Sequence, residues 1–123
     1  MTGAPRAIPR SILYTPALSP DKVVKAWSYD ADVHLIDLED SVPPADKQAA
    51  RTVCQDALEK TPRPGRVAVR MNELGSIAGV QDVLMLADSP VRPGIVLMTM
   101  VTSADEVDLL RRMLASAGAS PEI

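Results

Sequence analysis

Apolar positions along the chain switch repeatedly between a continuous run and a helical spacing. Residues 11–15 ("SILYT") form a short apolar run ending at Pro16, and residues 18–31 ("LSPDKVVKAWSYDA") follow with Val23, Val24 and Trp27 on one stripe. Ser19 stands where a helix cap belongs and Pro20 where the first helical residue belongs. Residues 33–38 then read as a near-continuous buried strand, and residues 46–58 return to helical spacing with Ala49, Ala50, Val53, Cys54 and Ala57 inward. The order recurs as a strand over 66–71 ("RVAVRM"), a helix over 80–86 and a strand over 94–100 ("GIVLMTM"). A last helix opens at Ser103, carries Asp105 and Glu106 in its first turn and stops at Gly118. Successive βα units of this kind predict an α/β fold of parallel strands covered by helices, either an open doubly wound sheet or a barrel. Residues 121–123 read as the approach to a further strand. A parallel sheet halted there would have an unprotected edge, so the chain is expected to be part of a larger fold.

Composition narrows the class. The 123 residues are 46% hydrophobic and 24% charged, as in globular domains, and Tyr14, Trp27 and Tyr29 are the only aromatics, so the core is aliphatic. A net charge of −3 with 13 scattered Lys and Arg argues against general nucleic-acid affinity. Cys54 is the only cysteine, which rules out an intrachain disulfide and a cysteine-rich zinc site. No apolar run approaches the ~20 residues that span a bilayer, and residues 1–10 lack a signal-like apolar core. A cytoplasmic protein without membrane partners is expected.

Chemistry in α/β folds collects at the C-terminal ends of the parallel strands. By that rule Tyr14, Thr15 and Pro16 end the first strand, Asp37, Glu39 and Asp40 the second, Arg70 and Asn72 the third, and residues 99–102 the fourth. If those ends adjoin, one guanidinium faces several carboxylates. An arginine there can grip a substrate carboxylate through two parallel hydrogen bonds. The acids can hold a divalent metal directly or through water, or orient the arginine. They fit equally well as loop acids, with Arg70 in a structural ion pair.

Three stretches carry a resemblance: "RSILYTPA" at 10–17, "DVHLIDLEDSVPPADKQAAR" at 32–51 and "VAVRMN" at 67–72. They resemble the HpcH/HpaI aldolase and citrate lyase beta-subunit family, which includes malyl-CoA and citramalyl-CoA lyases; the "DLEDSVPPADKQAAR" block is the specific part. The resemblance implies about four βα units, the N-terminal half of an eight-stranded (β/α) TIM barrel, over residues 1–123. It also implies a magnesium-dependent carbon–carbon lyase of aldolase type, acting on hydroxyacyl-CoA or related hydroxy and oxo acids through a metal-stabilised enolate. Arg70 matches the family's substrate-binding arginine, and Glu39 and Asp40 match its acidic pair near the metal. Catalytic roles are thus expected at Arg70, Glu39 and Asp40, and substrate contacts at Arg70, Asn72, Thr15 and Pro16. The direct magnesium ligands are expected beyond Ile123, with none in this chain. Ala17 stands where the family usually has Gly, and "LMTMVTS" at 97–103 replaces the common "LPKVES" with neutral residues at Thr99 and Thr102.

Other residues have plainer readings. His34 suits a packed strand position, Cys54 the core, and Met85, Met98, Met100 and Met113 adaptable packing. The loop 72–79 lacks nucleotide-binding spacing, and Arg111 and Arg112 suit a helix C-terminus. Two alternatives to a lyase remain: a non-catalytic half barrel that self-associates or pairs with a complementary chain, and an open α/β module that grips a small carboxylate through Arg70.

Overall fold

The computed structural model describes residues 8–123. Its elements run β1 (Ile12–Pro16), α1 (Pro20–Ala26), β2 (Val33–Asp37), α2 (Lys47–Lys60), β3 (Val67–Arg70), α3 (Ile77–Asp88), β4 (Ile95–Leu97) and α4 (Ala104–Ser116). All four strands are parallel and lie in the order β1-β2-β3-β4. A doubly wound sheet must reverse its strand order to place helices on both faces. Sequential order with crossovers of one hand puts every helix on the same face, as in a barrel wall.

The core confirms single winding. One strand parity, including Ile36, Leu38, Val67, Val69, Met71 and Val96, packs with Val23 of α1, Leu58 of α2, Leu86 of α3 and Leu110 of α4. The other parity forms a small cluster of Val33, Leu35 and Ala68, joined by Ile95, without any helical residue. That second face is open, and Ile12, Tyr14 and Leu97 are exposed on it. Of the two architectures the repeat allowed, the chain adopts the barrel arc.

Local chemistry explains the element ends. Glu106 accepts from the backbone N–H groups of Thr102 (2.6 Å) and Ser103 (3.1 Å), completing a capping box at the start of α4. These bonds lower its carboxyl pKa. Arg92 donates to the Ala87 and Ala117 carbonyls, joining the C-terminal ends of α3 and α4. The expected approach to a further strand is present: Glu122 bridges Ile95 in parallel, with Val96 N–H donating to its carbonyl at 2.8 Å.

Several expectations need correction. Val24 is exposed while Val23 is buried, so the α1 stripe is narrower than its sequence suggested. On α2 Arg51 is buried beside the expected Ala50, Cys54 and Ala57, and Ala49 faces solvent. α3 begins at Ile77, three residues before the expected start, because Ser76 caps it by accepting from Gly79 N–H at 3.0 Å. β4 stops at Leu97, and Met100, at φ 55° and 71% exposed, belongs to the loop instead of the packing set.

Candidate active site at the strand ends

β2 ends in charge because its last residue is needed by the strand beside it. Parallel register sets Asp37 opposite Arg70, the last residue of β3, on the open face. Arg70 Nε donates to Asp37 Oδ1 at 2.7 Å and Nη2 to Oδ2 at 2.8 Å, a two-pronged pair. Asp37 is 2% exposed, and its oxygens also accept from Glu39 N–H, Ser41 N–H and the Ser41 hydroxyl. Burial pushes this carboxyl up, but the bonds from Arg70, Ser41 and the Glu39 backbone outweigh it and hold the group well below the usual carboxylate range. The same bond to Asp37 raises Arg70 further, against burial and with help from the Asp37 and Glu39 charges.

Arg70 is not saturated by this pair. Its Nη1 lies 3.8 Å from Glu39 Oε1, too far for a hydrogen bond, and its guanidinium carbon sits 5.2 Å from the Tyr14 ring centroid. Tyr14 therefore covers one face of the cation and Asp37 one edge. Among the described residues Nη1 makes no hydrogen bond, and Glu39 is the carboxylate found near it.

Behind this pair lies a polar network that fixes the two turns. Lys47 Nζ donates to the carbonyls of Leu38 (3.0 Å) and Glu39 (2.5 Å), pinning the turn after β2 to the start of α2. Asn72 Nδ2 donates to the Leu38 carbonyl at 3.0 Å and to Asp82 Oδ2 at 2.7 Å, and Asn72 N–H also donates to Asp82. The other Asp82 oxygen takes Arg51 Nη1 at 3.1 Å. Gly79 lets α3 come this close, since a Cβ there would lie 1.9 Å from the Glu73 carbonyl oxygen.

The expected site residues thus separate. Arg70 and Glu39 adjoin at the strand ends, and Pro16 is in register with Asp37 beside them. Asp40 is exposed next to Glu39, and no hydrogen bond or ion pair is found for its carboxylate among the described residues. Thr15 is in register with Ile36, on the helix-side row. Asn72 is buried with its amide N–H groups directed inward, which makes it a tether of the loop after β3. Thr99 donates to the Met71 carbonyl at 3.4 Å, and Thr102 belongs to the α4 cap. The buried Ala17 methyl lies in the core, and Ala17 N–H donates to the Asp37 carbonyl. Sequence reasoning missed Ser41, Lys47, Arg51 and Asp82; the signal was the charge at Lys47 and Arg51 on an apolar helical stripe.

Elsewhere, His34 packs edge-on against Trp27 at 5.5 Å. Cys54 is buried, and burial pushes its thiol pKa well up, with the Asp82 charge adding to the effect. A cavity of about 660 Å³ opens at the opposite pole beside Arg10, Asp32, Arg66 and Ile95. Its charged lining includes the exposed Arg10–Asp32 pair, whose two partners are already matched to one another. Its size alone does not outweigh the unsaturated cation at the strand ends. Among the described residues no group of three or more His, Cys, Asp and Glu is placed to hold a metal, and no helix is long and apolar enough to cross a membrane.

Comparison with known proteins agrees with the fold. The chain is 31% identical over 106 residues to a (3S)-malyl-CoA thioesterase of Cereibacter sphaeroides, covering 85% of this chain and 36% of that protein. It is 42% identical over 76 residues to a citrate lyase subunit beta-like protein of Mycobacterium tuberculosis, covering 61% of this chain and 26% of that one. The chain therefore spans about a third or less of these relatives' lengths. Among solved structures, the M. tuberculosis citrate lyase beta subunit complexed with oxaloacetate and magnesium is 34% identical at a TM-score of 0.70, over 80% of this chain and 42% of that one. RipC from Yersinia pestis is 32% identical at a TM-score of 0.67, over 88% of this chain and 42% of that one. The family model for HpcH/HpaI aldolase/citrate lyase matches residues 10–120, and the chain belongs to that family.

Proposed function

We propose that the chain supplies the carboxylate-gripping wall of a carbon–carbon lyase that acts on hydroxyacyl-CoA thioesters or related hydroxy and oxo acids. One observation carries this reading: Arg70 is held by Asp37 along one edge, while its Nη1 makes no hydrogen bond among the described residues and stands 3.8 Å from Glu39. The relatives' ligands support it, since one M. tuberculosis structure is complexed with magnesium, acetoacetate and coenzyme A and another with oxaloacetate and magnesium. Both acids bring the carboxylate such an edge fits.

In the proposed reaction the bond between the carbinol carbon and the carbon next to the thioester carbonyl breaks. The hydroxyl loses its proton, an oxo acid leaves, and the enolate of the remaining thioester takes up a proton. Arg70 holds the acid portion, Pro16 and Tyr14 wall the pocket, Lys47 and Asn72 fix the turns, and Glu39 and Asp40 are the nearby acids. Magnesium enters by resemblance only. Asp37 is committed to Arg70 and Ser41, and the described residues do not assemble an ion site, so the chain's own residues do not fit the metal unaided and no step is routed through it.

Thioester hydrolysis is the competing outcome, favoured by the malyl-CoA thioesterase relative. The open sheet face, with Ile12, Tyr14 and Leu97 exposed, favours a complementary chain or second copy as partner, so a non-catalytic half-barrel role is the other reading. A cytoplasmic setting belongs to the same proposal. The assay is malyl-CoA with magnesium: glyoxylate with acetyl-CoA indicates cleavage, malate with free CoA indicates hydrolysis, and neither leaves binding alone. Replacing Arg70→Lys is expected to weaken pyruvate or oxaloacetate binding tenfold or more by about one lost charge-assisted bond, with folding nearly intact. Unchanged affinity would remove Arg70 from the site.

A further inference from the structure

We infer that Glu39 occupies the substrate-carboxylate position on Arg70 in the ligand-free protein, and that an incoming carboxylate must displace it. The inference rests on the carboxylate-binding reading of Arg70. It follows from how the guanidinium is surrounded. Asp37 takes Nε and Nη2 at 2.7 and 2.8 Å, and the Tyr14 ring covers one face at 5.2 Å. A planar acid seeking in-plane donors is left with the Nη1 side, and there Glu39 Oε1 stands at 3.8 Å.

The contact is built to be given up. Both partners are partly exposed, at 22% and 27%, and the separation exceeds a hydrogen bond, so the pair is weak. The Glu39 backbone, by contrast, is fixed on both sides. Its N–H donates to Asp37 Oδ1 at 3.0 Å, and its carbonyl accepts from Lys47 Nζ at 2.5 Å. Displacement then needs only a side-chain rotation, with Arg70 still aimed by Asp37. Ligands without a carboxylate cannot replace the charge that Glu39 supplies, so the same contact selects for acids.

The test is titration of this chain with pyruvate, read by calorimetry and by the NMR signal of Arg70 Nε–H. In E39Q the competing charge is gone. In E39D the charge remains but is one methylene too short to reach Nη1. Both variants are expected to bind pyruvate about two- to fivefold tighter than the parent chain, the range set by a weak exposed ion pair, and R70K added to either should abolish the gain. The Nε–H signal should stay at its Asp37-bonded position throughout. A gain in E39Q with none in E39D means that the charge acts at a distance, which overturns displacement. Equal or weaker binding in both variants overturns it as well, while Arg70-dependent binding in the parent would leave the functional proposal standing. Absence of Arg70-dependent binding in all three chains overturns both.

Discussion

Two arginine–aspartate pairs of nearly the same length sit on opposite sides of the sheet, and their surroundings separate structure from chemistry. Arg51–Asp82, at 3.1 Å, lies among the helices with side-chain exposures of 6% and 0%. Arg51 is the more fully bonded of the two, since Nη2 also reaches Gln81 and Gln48 and Nε reaches Gln48, so all three of its nitrogens donate. Arg70–Asp37, at 2.7 Å, lies on the open face, and among the described residues Arg70 Nη1 makes no hydrogen bond. A buried ion with every nitrogen bonded holds two helices in place. A partly matched one at a strand end keeps a donor open, as the proposed carboxylate role requires. The family block contributes Asp37 to one pair and Arg51 to the other, so a single sequence motif serves both purposes.

The comparison breaks most visibly at the buried pair. Asp82→Asn strands the Arg51 charge and turns an amide donor toward either Arg51 or Asn72; a loss of roughly 3–5 kcal/mol is expected in urea denaturation. A loss below about 1 kcal/mol would mean that water reaches the pair. Asp37→Asn should cost less, about 2 kcal/mol, because Arg70 can rehydrate from the mouth once its partner is neutral.

Acid titration sharpens the same contrast. The folded-state pKa of Asp37 lies below its ordinary value of 3.8, so its contribution is complete above that value and is lost as pH falls from there toward the folded value. Asp37→Asn should therefore flatten the decline in stability below about pH 4. An identical acid limb in the variant would assign the decline to other carboxylates. The smallest effect belongs to the third pair, Arg10–Asp32, exposed at the opposite pole. Its bond to Arg10 lowers Asp32 to about 2, yet solvent surrounds it, and Asp32→Asn is expected to leave the urea midpoint unchanged within error.

Much of this was legible in the residues. Strands and helices follow from hydrophobic period, and the 103–106 cap from Ser and Glu three apart. Arg70 and Glu39 emerged as strand-end chemistry because parallel α/β units converge there. The start of α3 did not, since Gly79 disfavours a first helical turn by propensity, and its use, the close approach of the Glu73 carbonyl in the loop just before the helix, shows only once that loop is folded. Nor did the division of labour among the acids. Asp37, Glu39 and Asp40 look alike as a cluster, yet one is locked to Arg70, one stands loosely beside it and one faces solvent.

The sequence by itself determined the repeating βα order and the aliphatic core, because local propensity and spacing are carried by neighbouring residues, and its motif over 37–51 carried the resemblance to the family. Only the tertiary structure decided that the sheet winds singly, that Arg51 and Asn72 are structural, and that Arg70 keeps an unmatched edge. Those outcomes depend on which side chains from distant segments meet and on how many donors each meeting satisfies, which no stretch of the chain specifies alone.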